Sequence, residues 1–477
     1  MSLFSAHGRT LRVPVRAAAV FFAVSLVNRA VATLFVPLYT RLLPAEAFGY
    51  VTLYQNWLNV VTVLATWELF GGGLFCILRR YGTEDDGVIS ASVGLCALPF
   101  LSSLGLYLLF RVPLNRLTGL DTVSSLFLFM QVGANATLSF LLARARFLYR
   151  PGRYALCALI SGVGAPVLSY LLLRYTDAGV VTARIAAPAI LSAAVALAVL
   201  TVFFLRGRCV FRREVWRDLL RAQLPLLPHY FLYALLCETG RLILGRCAGG
   251  AALAPFGILY AVGTAPGVLA AGIHSTYSPW LLRKLGAGDE ETVRNMTATV
   301  CAVLGLSSLL VVLATPELLF LLAPSAYGAE LWQVAPLSLV PVLSFLITSE
   351  ITVALSAGKG GFVTLGTALA TISAVGLNVW LVPRFGSAGA AILTPVSFLL
   401  LAAAQALCLR FSGQKLPIYA NYALLIVGFI VLFSAVSCFL FPYFIVRVLL
   451  FFFLLGALCV LVFRVRQQLT EVPADLS

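Results

Sequence analysis

Glu238 and Arg241 lie deep inside the apolar stretch Leu224–Gly249. On a helix, that three-residue spacing puts both side chains on one face, where carboxylate and guanidinium compensate each other. An ionised side chain at the bilayer centre costs about 2.5–3.5 kcal/mol or more, so such a pair turns away from lipid and marks an internal pathway. Arg29 occupies a similar place in the first apolar run. Guanidinium forks match paired phosphoryl oxygens, and two arginines facing one cavity would grip a diphosphate. The competing use is structural neutralisation, of Arg241 by Glu238 and of Arg29 by Glu68. Glu68, Glu238 and Glu350 are acids placed inside apolar runs. A carboxylate that gains and loses a partner could couple proton or sodium movement to a conformational cycle, while ion pairing or a helix-end position is the plainer reading, above all for Glu350.

Asn28, Asn56 and Asn59, with Gln55 and Gln131, are polar residues in or near the runs. They suit sugar hydroxyls or cross-links between helices. His229 and His274 read better as packing histidines than as titrating groups. No catalytic constellation, metal-ligand cluster or cofactor motif is visible. The ten cysteines include no CxxC, and the GKGG at 358–361 lacks the spacing of a phosphate-binding loop.

The elements that position these residues follow from composition. A mean hydropathy of +1.00, with 61% hydrophobic and 11% charged residues, excludes an ordinary soluble domain of 477 residues. Apolar runs of about 20 residues recur along the chain, the length that carries a helix across hydrocarbon. Backbone in lipid must satisfy its own hydrogen bonds, and these runs are too long for barrel strands. The expected fold is an all-α polytopic membrane protein of about fourteen transmembrane helices. The expected spans are Ala17–Tyr39, Phe48–Phe75, Val88–Phe110, Val123–Ala143, Tyr154–Leu173 and Thr182–Leu205. They continue with Leu224–Gly245, Ala252–Tyr277, Thr297–Ala323, Leu331–Ala357, Phe362–Val382, Gly389–Leu409, Ile418–Leu440 and Tyr443–Phe463.

The net charge of +15 is a topology signal rather than a nucleic-acid footprint. With the N-terminus inside, Arg41, Arg111, Arg116, Arg174, Arg184, Arg246 and Arg384 fall in outer loops. A much larger set, from Arg9, Arg12 and Arg16 through Arg144, Arg150, Arg153 and Arg206 to Arg464 and Arg466, falls in inner ones. Both termini are therefore expected on the cytoplasmic side, with the first run retained as a span. The basic segment Arg206–Arg221 spaces Val210, Phe211, Val215, Trp216, Leu219 and Leu220 at roughly helical intervals. That pattern predicts a linker that forms an interfacial helix against anionic headgroups.

The chain also repeats. One offset carries Phe48-Gly49 onto Phe256-Gly257, and nearly the same offset carries Arg150-Pro151-Gly152 onto Lys359-Gly360-Gly361 and Ala178-Gly179 onto Ala388-Gly389. Six spans separate the copies, so both have one orientation, which predicts two six-helix bundles related by a pseudo-two-fold axis along the membrane normal. The expected domains are an N-terminal bundle (1–205), a basic linker (206–223), a C-terminal bundle (224–410), and two further helices with a tail (411–477).

The opening VNRAVATLFVPLYTRLLPAEAFGYVTLYQNW resembles the start of the polysaccharide-unit (O-antigen-type) flippases and polysaccharide exporters. LPLLPHYFLYALLCETGRLILGRCAGGAALAPFGILYAV, Pro279 within STYSPWLLRKLGAGDEE, and LNVWLVPRFGSAGAAILTPVS carry the same resemblance. These proteins belong to the multidrug/oligosaccharidyl-lipid/polysaccharide (MOP) superfamily. The resemblance implies two six-helix bundles around a central cavity, and transfer of a polyprenyl-diphosphate-linked oligosaccharide from the inner to the outer leaflet by alternating access. It implies residence in a bacterial inner membrane, with membrane lipids, a polysaccharide polymerase and a chain-length regulator as partners and no nucleic acid. Relatives often carry an acid directly before the arginine equivalent to Arg241; here that position is Gly240. An ion-coupled multidrug or metabolite antiporter of the related extrusion group is the rival expectation, and a membrane polysaccharide polymerase a weaker one.

Overall fold

The computed structural model describes residues 4–82, 86–177, 179–328, 330–411 and 435–470, with 413, 428, 431 and 432, and within them the apolar runs are helical, two of them interrupted. In chain order these are α1 (Phe4–Leu42), α2 (Ala45–Thr66), α3 (Gly72–Tyr81), α4 (Asp86–Leu109), α5 (Arg111–Thr118), α6 (Thr122–Phe147) and α7 (Gly152–Tyr175). A π-helical turn, Thr182–Ala186, leads into α8 (Ala187–Gly207), and α9 (Arg213–Gln223) follows. Next come α10 (Leu227–Gly263), α11 (Gly267–Gly286), α12 (Glu290–Leu313), α13 (Thr315–Leu322), α14 (Val334–Leu337), α15 (Val340–Ser356), α16 (Gly360–Phe411) and α17 (Phe444–Thr470). The described residues contain no strand. The protein is an all-α polytopic membrane protein. The expected span Ile418–Leu440 lies mostly outside the described residues.

Among the described residues, ten helical runs are long and apolar enough to cross a membrane. Two of them, Arg213–Gly263 with 51 residues and Gly360–Phe411 with 52, are too long for one crossing. At 1.5 Å per residue a straight helix of that length would reach about 75 Å, more than twice the hydrocarbon thickness. Both bend at a glycine: Gly249 has φ 75° and Gly386 φ 57°, values that side chains with a Cβ rarely adopt. Each glycine is the tip of a helical hairpin. Gln405 Nε2 donates to Val363 O and Thr367 Oγ1 at 2.9 Å, joining residues nearly equidistant from Gly386. Arg241 and Tyr260 meet in the same way around Gly249.

The expected second span, Phe48–Phe75, is not continuous. Helix α2 stops at Thr66, and Trp67 and Glu68 both turn to φ 51° before α3 starts at Gly72. The Gly71 N–H donates to Glu68 O at 2.8 Å, and a Cβ on Gly71 would stand 3.0 Å from that same oxygen. The glycine run 71–73 therefore closes a strained turn with Glu68 at its centre. Thr297–Ala323 is likewise broken, with α12 ending at Leu313 and Pro316 opening α13.

The chain divides into two compact units, Met1–Ala234 and Leu235–Ser477. In the first, α6 packs on α8, α1 on α7, and α4 on α2 and α8. Asp121 caps α6, accepting from Ser124 N at 3.3 Å, and Tyr50 donates its hydroxyl to the same carboxylate at 2.5 Å. In the second, α15 packs on α16, α12 on α17, and α11 on α15, and Asp289 caps α12 through Thr292 N at 3.2 Å.

The basic linker packs on protein along part of its expected apolar stripe. Helix α9 does form, and Val215 and Leu219 are fully buried against protein in the cluster that holds Leu74, Ile89 and Phe140. Trp216 Nε1 donates to Ala91 O at 2.8 Å, and Asp218 takes the Tyr81 hydroxyl at 2.8 Å and Arg80 at 2.8 Å. The first unit offers α9 an apolar groove between α3 and α4 that covers Val215 and Leu219, while Val210 and Phe211, just ahead of α9, stay exposed.

Candidate functional site

The polar residues anticipated for the first unit fall in different places. Asn28, on α1, is half-buried and donates from Nδ2 to Ala158 O on α7 at 3.1 Å. Gly162 permits that approach, since a Cβ there would lie 2.4 Å from the Asn28 amide. Asn28 lines a cavity of about 530 Å³ whose other polar walls are Gln131, Asn135 and Ser139 of α6, Ser161 of α7 and Ser192 of α8. Gln131 Oε1 in turn accepts the hydroxyl of fully buried Tyr54 at 2.8 Å. Arg29, the next residue along, is exposed and forms no ion pair among the described residues. The anticipated neutralisation of Arg29 by Glu68 is not formed. On α2, Asn56 is buried and Asn59 exposed, so these two candidates serve different faces. Glu68 is half-buried in the break between α2 and α3.

In the second unit two of the candidates meet. Arg241 Nη2 lies 2.6 Å from Glu238 Oε2, and both side chains are largely withdrawn from solvent, at 15% and 6% exposure. The guanidinium carbon of Arg241 stands 3.9 Å from the centre of the Tyr260 ring, on the returning arm of the hairpin. Arg241 is thus held between a carboxylate and an aromatic face, both of which stabilise a desolvated cation. Its Nε is buried without a hydrogen-bond partner, so the guanidinium is not saturated. Gly240 faces the α16 hairpin, where a Cβ would lie 3.2 Å from Asn378 Oδ1 and 3.7 Å from Thr394 Oγ1. The absent side chain at 240 lets the ion-paired turn sit directly against those polar groups. Glu350 is fully buried on α15.

Several contributors escaped the sequence reading. Tyr260 becomes visible once the hairpin at Gly249 is known, because it lies about as far beyond the tip as Arg241 lies before it. Asn378 and Thr394 are polar residues within apolar runs, the same signal that picked out Asn28. Arg447 and Glu317, each within an expected span, form a bidentate pair with both N–O distances at 2.7 Å, and Arg447 Nη1 also donates to Leu313 O at 2.8 Å. In the first unit Arg184, expected in an outer loop, lies with its guanidinium carbon 3.7 Å from the centre of the Tyr39 ring.

No family model and no curated protein matches the sequence. Solved structures do match the fold. An outward-facing multidrug resistance MATE family transporter of the MOP superfamily aligns with TM-score 0.56 and 16% identity, over 84% of this chain and 96% of that one. The lipid II flippase MurJ in an inward closed conformation aligns with TM-score 0.59 and 12% identity, over 94% and 99%. The eukaryotic MATE transporter AtDTX14 gives 0.54 and 16%, over 89% and 99%. The chain shares their fold. Those neighbours are transporters and a flippase, not enzymes, and their fold extends over nearly the whole length described above.

Proposed function

We propose that the protein is a flippase that carries a polyprenyl-diphosphate-linked oligosaccharide from the inner to the outer leaflet of a bacterial cytoplasmic membrane, for polysaccharide assembly. The observation that carries this reading is the buried Glu238–Arg241–Tyr260 group in a fold that a lipid II flippase also has. A guanidinium kept dry and only partly saturated suits an anionic diphosphate better than a cationic drug. Arg29 is the second proposed contact for the diphosphate, and Asn28, Asn56 and Asn59 are proposed to meet sugar hydroxyls. Glu238 releases Arg241 to the substrate and takes it back after release. Proton or sodium exchange at Glu238, Glu68 or Glu350 supplies the drive. Both termini face the cytoplasm, in keeping with the distribution of basic residues.

The test is leaflet transfer of a fluorescent polyprenyl-diphosphate oligosaccharide in liposomes. Wild type is expected to transfer the lipid, and Arg241→Lys and Arg29→Ala to slow it about tenfold or more, the scale on which a charged phosphate contact acts. The rival reading is an antiporter, favoured by the similarity to multidrug transporters. Folded wild type that moves no lipid-linked sugar but expels a cationic dye would decide for it.

A further inference from the structure

At one end of the first unit, where α6 and α8 finish and α7 begins, lies a second cavity of about 520 Å³. Arg144, Arg150, Arg153 and Arg206 line it, no acidic side chain does, and the rest of its wall is chiefly apolar. Arg144 is committed to Asp86 of α4. Arg150, Arg153 and Arg206 are exposed and form no ion pair among the described residues. Three uncompensated guanidinium groups around one recess repel each other, an arrangement that an anion stabilises. The first turn of α7, which opens at Gly152 on the cavity wall, adds backbone N–H groups with no partner inside the helix.

The apolar part of the wall identifies the kind of anion. Leu156 and Val202 line the cavity while remaining 62% and 40% exposed, so the recess opens sideways onto the apolar flank of α7 and α8. Tyr154 lines it as well, with an amphipathic ring suited to the membrane–water boundary. A free phosphate would use the arginines and leave the rest of the recess, which is in the size range of small-molecule sites, without a complementary ligand. A lipid with a phosphate headgroup fills both parts.

We propose that this recess binds the phosphate headgroup of an anionic glycerophospholipid, with the upper acyl chain along Leu156 and Val202. The site belongs to the first unit alone and does not rest on the transport reading. The arginines sit on the basic side of the chain, which the charge bias assigns to the inner leaflet, where anionic headgroups draw Lys and Arg clusters.

The experiment is lipid binding to the purified full chain, read by native mass spectrometry and by the thermal midpoint, with phosphatidylglycerol, cardiolipin, phosphatidylcholine and inorganic phosphate offered separately. Wild type is expected to retain one anionic lipid and to gain thermal stability from it. In the variant Arg150→Gln/Arg153→Gln/Arg206→Gln, the affinity should fall about tenfold or more while unliganded stability stays near wild type, since none of the three is ion-paired. A control that removes the same charge from the neighbouring linker, Arg208→Gln/Arg213→Gln/Arg221→Gln, should keep the lipid. Equal loss in the control would reduce the effect to net charge and overturn the proposal. Equal retention of phosphatidylcholine would also overturn it, as would protection by inorganic phosphate as strong as that by the lipid.

Discussion

Arg241 and Arg447 show two ways in which an arginine is kept within an apolar chain. Arg447, with a side chain 6% exposed, carries a bidentate carboxylate and a backbone carbonyl through its two terminal nitrogens. Arg241 has a single carboxylate oxygen at 2.6 Å, a long contact of 3.5 Å to Cys237 O and one ring face; the Nε of each arginine is buried without a partner. The first arrangement ties α17 to α12 and α13 through a bidentate grip, and the second, with one carboxylate oxygen, is the one for which we propose a ligand. Replacing Arg447 by Ala removes charge-assisted bonds worth about 1.5–3 kcal/mol each and should loosen the packing of α17 on α12. Thermal unfolding in detergent would read this as a lowered midpoint, with transport per folded molecule unchanged. Arg241→Ala strands Glu238, a change that costs about 3–5 kcal/mol where a buried pair is broken. The double variant Glu238→Gln/Arg241→Gln removes both charges and should recover most of that stability. If it also recovers lipid transfer, Arg241 is only a structural counter-ion and the proposed diphosphate contact is wrong.

Helix α9 is the element whose amphipathic pattern has two physical solutions, and packing chooses between them. Its stripe would suit a bilayer surface, but the groove of α3 and α4 offers better-matched contacts, with Trp216 and Asp218 satisfied by named partners. Leu219→Ala empties a fully buried site and should cost about 2–5 kcal/mol, seen as faster proteolysis within Arg206–Arg221. The dock also has a pH dependence of known sign. The Tyr81 hydroxyl, then Arg217 and Arg80, hold the Asp218 carboxyl below its ordinary range. A depressed folded-state value means that the contribution is complete above the ordinary carboxylate pKa of about 4 and fades as pH falls through the folded one. Proteolysis of the linker should therefore be flat through neutrality and rise only in acid. Asp218→Asn should remove the acid dependence and raise the neutral rate.

On the scale of the whole molecule, the hairpins set topology. Gly249 and Gly386 turn two long helical runs back on themselves, so their tips belong to one membrane face and the loop after α11 to the other. Once the ten native cysteines are replaced, Ala251→Cys and Phe385→Cys should react with a membrane-impermeant maleimide from outside intact cells, and Ala287→Cys only after permeabilisation. Labelling of all three from one side would refute the hairpins. The hairpins also explain why hydropathy finds two spans where the helix itself is nearly unbroken. One glycine in the left-handed region is enough to reverse the chain, and a window average records only the drop in apolarity around it.

The membrane class, most of the spans and the pairing of Glu238 with Arg241 were legible from residues alone. Each depends on local chemistry: apolar length, basic loops, and an i,i+3 spacing that any helix turns into neighbours. Sequence could not separate Asn28 from Arg29, which adjoin in the chain but leave α1 in different directions. It could not foresee that the second span breaks at Glu68, because two non-glycine residues at positive φ are held there only by surrounding structure. Nor could it supply Tyr260 to Arg241, Glu317 to Arg447, or Arg206 to the recess with Arg150 and Arg153. Those partners lie a helix or more apart in sequence, and only tertiary packing decides which side chains meet across that distance.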